Sequence, residues 1–142
     1  MEIKGIDKPR NPNPANPLID HDYKEKQLVY YVDLDGTLAY YERWGNIGDI
    51  GNPIPLMKKW VLYWLKKEIK IKIFTARAYK PETIPPIRKW LLINGFPPDL
   101  EITNIKGLDC DLIFDNNARE VINNTGIIID RTGEFNKKIL EN

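Results

Sequence analysis

Asp33-Leu34-Asp35-Gly36-Thr37 places two carboxylates one residue apart, directly after the apolar run Leu28-Val29-Tyr30-Tyr31-Val32. A short apolar run of that kind reads as a buried strand. The two acids therefore stand where a strand gives way to a Gly-containing turn, and in open α/β sheets ligands bind at the carboxyl ends of strands. Neighbouring carboxylates that lose water repel each other, which asks for a compensating cation and suggests phosphate chemistry. Three further groups follow apolar runs in chain order: Thr75, Lys106 and Asp115. Each alone has an ordinary structural reading: a Thr that starts a turn, a solvated Lys, an Asp that caps a helix. As an ordered set at successive strand ends they can act together. An Asp carboxylate can attack a phosphoryl group and form an acyl phosphate. Mg²⁺ takes oxygen ligands and keeps several waters, so two carboxylates and a backbone carbonyl suffice to hold it. A hydroxyl, backbone amides and an ammonium can hold the phosphoryl oxygens, and a second carboxyl can move the proton.

The elements that must position these groups follow from periodicity and punctuation. Residues 1–27 carry Pro9, Pro12, Pro14 and Pro17 and read as an extended N-terminal arm. Residues 28–142 read as a single domain. Its first strand is Leu28–Val32. A loop over Ala39–Pro53 follows, with Tyr40, Tyr41, Arg43 and Trp44 near the acids. Leu56, Trp60 and Trp64, beside Met57, Val61 and Leu65, predict an amphipathic helix over Pro55–Glu68. Strands are predicted over Ile69–Phe74, Leu100–Thr103, Leu112–Phe114 and Gly126–Ile129. Further helices are expected over Ile84–Asn94, with Thr83 as N-cap and Asn94-Gly95 as the stop, and over Asn117–Asn123. Alternating strands and helices imply a parallel, doubly wound α/β sheet of five strands.

Bulk properties narrow the classes of function. The chain has 142 residues, enough for one domain with a core. Lys plus Arg is 21 against 20 for Asp plus Glu, a net charge of +1 that demands neither nucleic acid nor a membrane as partner. One His and one Cys leave too few ligands for a Cys/His zinc site. No apolar stretch is long enough to span a bilayer and no signal peptide is evident, so the expected compartment is the cytoplasm.

Asp33-Leu34-Asp35-Gly36-Thr37-Leu38 resembles the first motif of the haloacid dehalogenase (HAD) superfamily of phosphohydrolases. Ile73-Phe74-Thr75-Ala76-Arg77 is similar to the second motif, Lys106 to the third-motif Lys, and Leu112-Ile113-Phe114-Asp115-Asn116 to the fourth. The resemblance covers about residues 28–130. It implies a Rossmann-like three-layer sandwich with a mostly parallel sheet. The intervals Ala39–Pro53 and Phe96–Asn104 are too short for the family's cap domains, so it implies a capless member with an open site. Asp33 is then the nucleophile and a Mg²⁺ ligand. Asp35 is the general acid/base and binds Mg²⁺ through its carbonyl. Thr75 and Lys106 bind phosphoryl oxygens, Asp115 and Asn116 complete the metal site, and Gly36, Thr37, Ala76 and Arg77 contact substrate. Asn116 stands where the family often has a second Asp, which implies weaker Mg²⁺ binding. The expected substrate is a phosphomonoester, small or at a nucleic-acid end. A loose similarity to the phosphatase module of phage-type polynucleotide kinases mildly raises a nucleotide or nucleic-acid substrate. Tyr40, Tyr41, Arg43 and Trp44 can stack a base and pair with a phosphate. The alternative is a weak or inactive HAD-type module that binds a phosphorylated partner. Asp111 and Cys110 read as structural: Asp111 begins its strand instead of ending it, and Cys110 is expected to be a buried, inert thiol.

Overall fold

Four short strands pair in parallel, and the two central ones carry the buried apolar residues. A computed structural model of the chain describes residues 26–41 and 49–141. The strands are β1 (Val29–Asp33), β2 (Lys70–Phe74), β3 (Glu101–Thr103) and β4 (Leu112–Phe114), in the order β3-β2-β1-β4. The register sets Tyr30 beside Ile71 and Leu112, and Val32 beside Ile73 and Phe114. Paired residues of a parallel ladder share a face, so Tyr30, Val32, Ile71 and Ile73 form one apolar surface. Onto it pack α1 (Pro55–Lys66) through Val61 and Trp64, and α2 (Ile84–Ile93) through Ile87, Trp90 and Leu91, in one buried cluster. Trp64 stacks on Trp60 and meets the edge of Tyr30 and the ring of Phe114. Losing such an aromatic from a core costs about 3–5 kcal/mol. Leu56, expected on the apolar face of α1, is instead exposed. Helix α1 stops at Lys66, and Glu68 takes a positive φ of 63°, the stop position usually held by Gly.

The opposite face of the sheet is closed differently. Tyr31 and Lys72 project there, and residues 104–111, the crossover from β3 to β4, fold over them. The Tyr31 hydroxyl donates to Asp109 Oδ1 at 2.5 Å and accepts from the Gly107 amide at 3.0 Å. The Lys72 ammonium pairs with Asp109 at 2.6 Å and Glu101 at 2.7 Å. Among the described residues, the two helices in the core cluster lie on one face and a helix-free loop covers the other. The arrangement is α/β with a four-stranded parallel sheet, and the third layer expected from the resemblance is not formed by helices there. The handedness of crossovers accounts for the placement: two right-handed connections moving outward from β1 put both helices on one side, and the return to β4 puts its connection on the other.

The C-terminal segments depart from expectation. Ile128–Ile129 (β6) pairs antiparallel with Glu120–Val121 (β5) in a separate two-stranded ribbon and does not extend the main sheet. The helix expected over Asn117–Asn123 is a turn leading into β5. Polar and Asn-rich flanks (Asn116-Asn117, Asn123-Asn124) favour turns over a helix of that length. Helix α3 (Glu134–Glu141) follows. Thr83 does not cap α2: its hydroxyl closes the preceding turn on the Lys80 carbonyl at 2.7 Å. Gly95 at φ 82° ends α2 as expected. Among the described residues no helix is long and apolar enough to cross a membrane. Most of the expected N-terminal arm, with Arg43 and Trp44, lies outside the described residues.

Candidate active site

The chain runs outward from β1 to β2 and β3, then returns to place β4 on the other side of β1. The order reverses between β1 and β4, and the crevice above that reversal is where open α/β sheets bind ligands. Asp33 ends β1 and Asp115 follows β4, so the two carboxylates flank the crevice from strands about eighty residues apart in sequence. A cleft of about 580 Å³ opens there, lined by Asp33, Asp35, Thr75, Ala76, Asp115 and Asn116 among the expected residues.

The turn after β1 is held by its own backbone. The Leu34 carbonyl accepts from the amides of Leu38 at 2.9 Å and Ala39 at 2.8 Å, and Gly36 N–H donates to the Ala39 carbonyl at 2.8 Å. Gly36 adopts φ 87°, and a Cβ there would stand 2.7 Å from Asn116 Nδ2. Thr37 is buried behind the acids. Its hydroxyl accepts from the Asn116 amide at 3.0 Å and lies 3.1 Å from Asp33 Oδ2 and 3.2 Å from Asn116 Oδ1. One hydroxyl proton serves one of those two acceptors at a time. Gly36 and Thr37 do not line the cleft. They brace the β1 turn against the β4 turn, a different task from the substrate contact expected of them. The Asn116 side-chain oxygen lies within reach of the Thr37 hydroxyl and keeps a second lone pair.

Arg77 is a buried ion-pair partner, not a surface one. It is 3 % exposed. Its Nε donates to Asp35 Oδ2 at 2.6 Å and its Nη2 to Asp35 Oδ1 at 3.0 Å, with a further bond to the Asp49 carbonyl at 3.1 Å. The Thr75 hydroxyl accepts from the Arg77 amide at 3.1 Å and caps a short 3₁₀ turn over Ala76–Ala78. Lys106 is exposed and absent from the cleft lining. Asn104, two residues earlier, lines the cleft in its place. Asp115 Oδ1 accepts from the Asn117 amide at 2.8 Å, the turn-capping bond expected of an Asp after a strand, while the residue still faces the cleft.

Burial, with the nearby charge of Asp115, pushes the Asp33 carboxyl from 3.8 up to about 6. Bonds from Thr37 and the Leu34 amide offset part of that rise. The cleft lining carries three carboxylates and no Lys or Arg. Among the described residues no group of three or more His, Cys, Asp or Glu side chains is gathered as a metal cage. The Asp35 carboxylate pairs with Arg77. Two carboxylates and a carbonyl oxygen remain, a donor set that fits Mg²⁺, which binds through one or two carboxylates and keeps its waters. Burial first, and the Asp115 charge second, hold the Asp33 carboxyl above its ordinary value.

Asp111 takes the structural place the sequence implies, while Cys110 is less buried than expected. Asp111 Oδ2 accepts from the Val29 amide at 2.8 Å and Oδ1 pairs with Lys26 at 3.0 Å, at the edge opposite the cleft. The Cys110 thiol is half-buried, and burial pushes it above its ordinary value. Phe74, Asn104 and Asn117 line the cleft without having been singled out. Phe74 ends β2 and Asn104 follows β3, so the rule that strand ends carry ligands would have found both. No family model matches the chain, and no curated protein and no solved structure matches it.

Proposed function

We propose that this chain is a Mg²⁺-dependent phosphomonoester hydrolase of the haloacid dehalogenase type, without a large cap domain. The carrying observation is the meeting of Asp33 and Asp115 at the switch-point cleft, with the Asp33 carboxyl lifted to about 6. An Asp33 oxygen attacks phosphorus and the ester P–O bond breaks, leaving an aspartyl phosphate. Asp35 gives a proton to the departing oxygen, then takes one from the water that opens the acyl phosphate. Inorganic phosphate leaves and Asp33 is regenerated. Asp33, Asp115 and the Asp35 carbonyl would hold Mg²⁺, which when bound would supply the positive charge that a cleft of three carboxylates denies to an anion. The Thr75 hydroxyl accepts from the Arg77 amide, which leaves its proton for a phosphoryl oxygen. Lys106, two residues beyond the cleft-lining Asn104, supplies an ammonium on a flexible stem. Tyr41, Phe74, Asn104 and Asn117 add rings and amides to the walls, suited to a nucleotide or a nucleic-acid end as well as to small esters.

A second reading is supported by the engagement of both Asp35 oxygens with Arg77 and by the position of Lys106 outside the cleft lining. It is a module that binds a phosphorylated partner without turnover. Hydrolysis of an aryl phosphate with Mg²⁺ separates the two. Wild-type protein is expected to turn over, and Asp33→Asn and Asp35→Asn to abolish it. A wild type inert on this ester, on nucleotides and on phosphorylated ends overturns the hydrolase reading. Stable, stoichiometric phosphorylation of Asp33 would mark a switch instead.

A further inference from the structure

We infer that Arg77 is a positioning residue that fixes the Asp35 carboxyl for proton transfer, and is not a phosphate-binding residue; this rests on the hydrolase reading. A fork of two parallel N–H bonds sets both the plane and the rotation of a carboxylate, which a single donor or a lysine cannot do. Arg77 makes that fork at 2.6 and 3.0 Å. The guanidinium is itself held: it bonds the Asp49 carbonyl, and its own amide is capped by Thr75. A group buried to 3 % exposure with these partners does not swing out to meet a substrate phosphate, and it is not among the residues facing the cleft. Asp35 does face the cleft. Each of its oxygens has two lone-pair sites. Arg77 occupies one on each, and the second remains for the substrate's leaving oxygen or a water.

Two roles predict different kinetics. A phosphate-binding arginine acts on every phosphate ester alike, in KM where it binds ground and transition state equally and in kcat where it favours the transition state. A residue that aims the proton donor matters most where the leaving oxygen needs a proton, as in an alkyl ester, and least for a nitrophenyl ester whose anion leaves unaided. The test compares wild type, Arg77→Lys, Arg77→Ala and Asp35→Asn on an alkyl and a nitrophenyl phosphate, with folding checked by circular dichroism. Arg77→Ala is expected to lose about 100-fold in kcat on the alkyl ester and no more than about 10-fold on the nitrophenyl ester. Its KM should stay within about threefold on both. Added guanidinium should restore part of the alkyl-ester rate to Arg77→Ala and none to Asp35→Asn. Arg77→Lys keeps the charge without the fork and should show the same alkyl-to-aryl skew. It carries the test if the alanine variant does not fold. Equal losses on both esters, a rise confined to KM, or faster turnover in the variant would overturn the role of Arg77 while the hydrolase reading stands. A wild type inert on both esters overturns the two together.

Discussion

Asp33 is a carboxyl that the fold holds above its ordinary value, and this has a sign that can be measured. Between pH 3.8 and about 6 the unfolded chain has released this proton and the folded chain still holds it. The folded state therefore loses stability as pH rises through that window, and the loss is complete above about pH 6. Asp33 is partly exposed, so solvent reduces the effect to about 1–2 kcal/mol. In chelator, Asp33→Asn is expected to raise Tm at pH 7 by about 3–6 °C and to flatten the pH dependence between 4 and 6. Thermal melts across that range check it, and equal slopes for the two proteins would refute it. The identity of the paired acids was legible at this scale because Asp33-Leu34-Asp35-Gly36-Thr37 follows an unmistakable apolar run. The role of Arg77 was not, because nothing local says which carboxylate a guanidinium forty residues away will meet. The mutual bonds of Thr37 and Asn116 were not legible for the same reason: they span two strand ends.

At the scale of elements, the β1 and β4 turns behave as one unit. Gly36 allows the positive φ of 87°, and the space a side chain would need is filled by the Asn116 amide. Gly36→Ala is expected to cost about 2–3 kcal/mol: backbone strain at positive φ plus the displaced amide. Removing the obstacle with Gly36→Ala/Asn116→Ala should recover the packing part and leave the backbone part. Urea denaturation of the single and double variants measures both, and strictly additive effects would show that the two turns are not coupled. Strands and the first two helices were readable within one or two residues, since apolar runs and the 3.6-residue pattern of α1 encode them directly. The segment after Asp115 was read less well. Gly126–Ile129 has the composition of a strand, but composition does not name its partner, and a two-residue pairing with Glu120–Val121 replaces the expected place in the sheet.

The whole molecule closes its two sheet faces by different means. On one face helices bury aromatics; on the other the crossover over residues 104–111 is fastened by Tyr31 and Lys72 to Gly107 and Asp109. Asn104, at the start of this crossover, lines the cleft, so fastening the loop also shapes the site. Tyr31→Phe removes the hydroxyl and strands a Gly107 amide and an Asp109 oxygen. It is expected to cost about 1–3 kcal/mol and to speed hydrogen exchange at Gly107 while amides in β1 keep their protection. Unchanged exchange at Gly107 would mean the loop is held by other contacts. The sequence alone determined that strands alternate with helices and that acids, a hydroxyl and an amine follow strand ends, because those signals reside in neighbouring residues. Only the tertiary structure decided which of these groups share a cleft. Strand order brings Asp33 to Asp115, and the same folding leaves Lys106 outside the lining and turns Arg77 inward onto Asp35. Contacts across strands depend on register and burial, which no local pattern encodes.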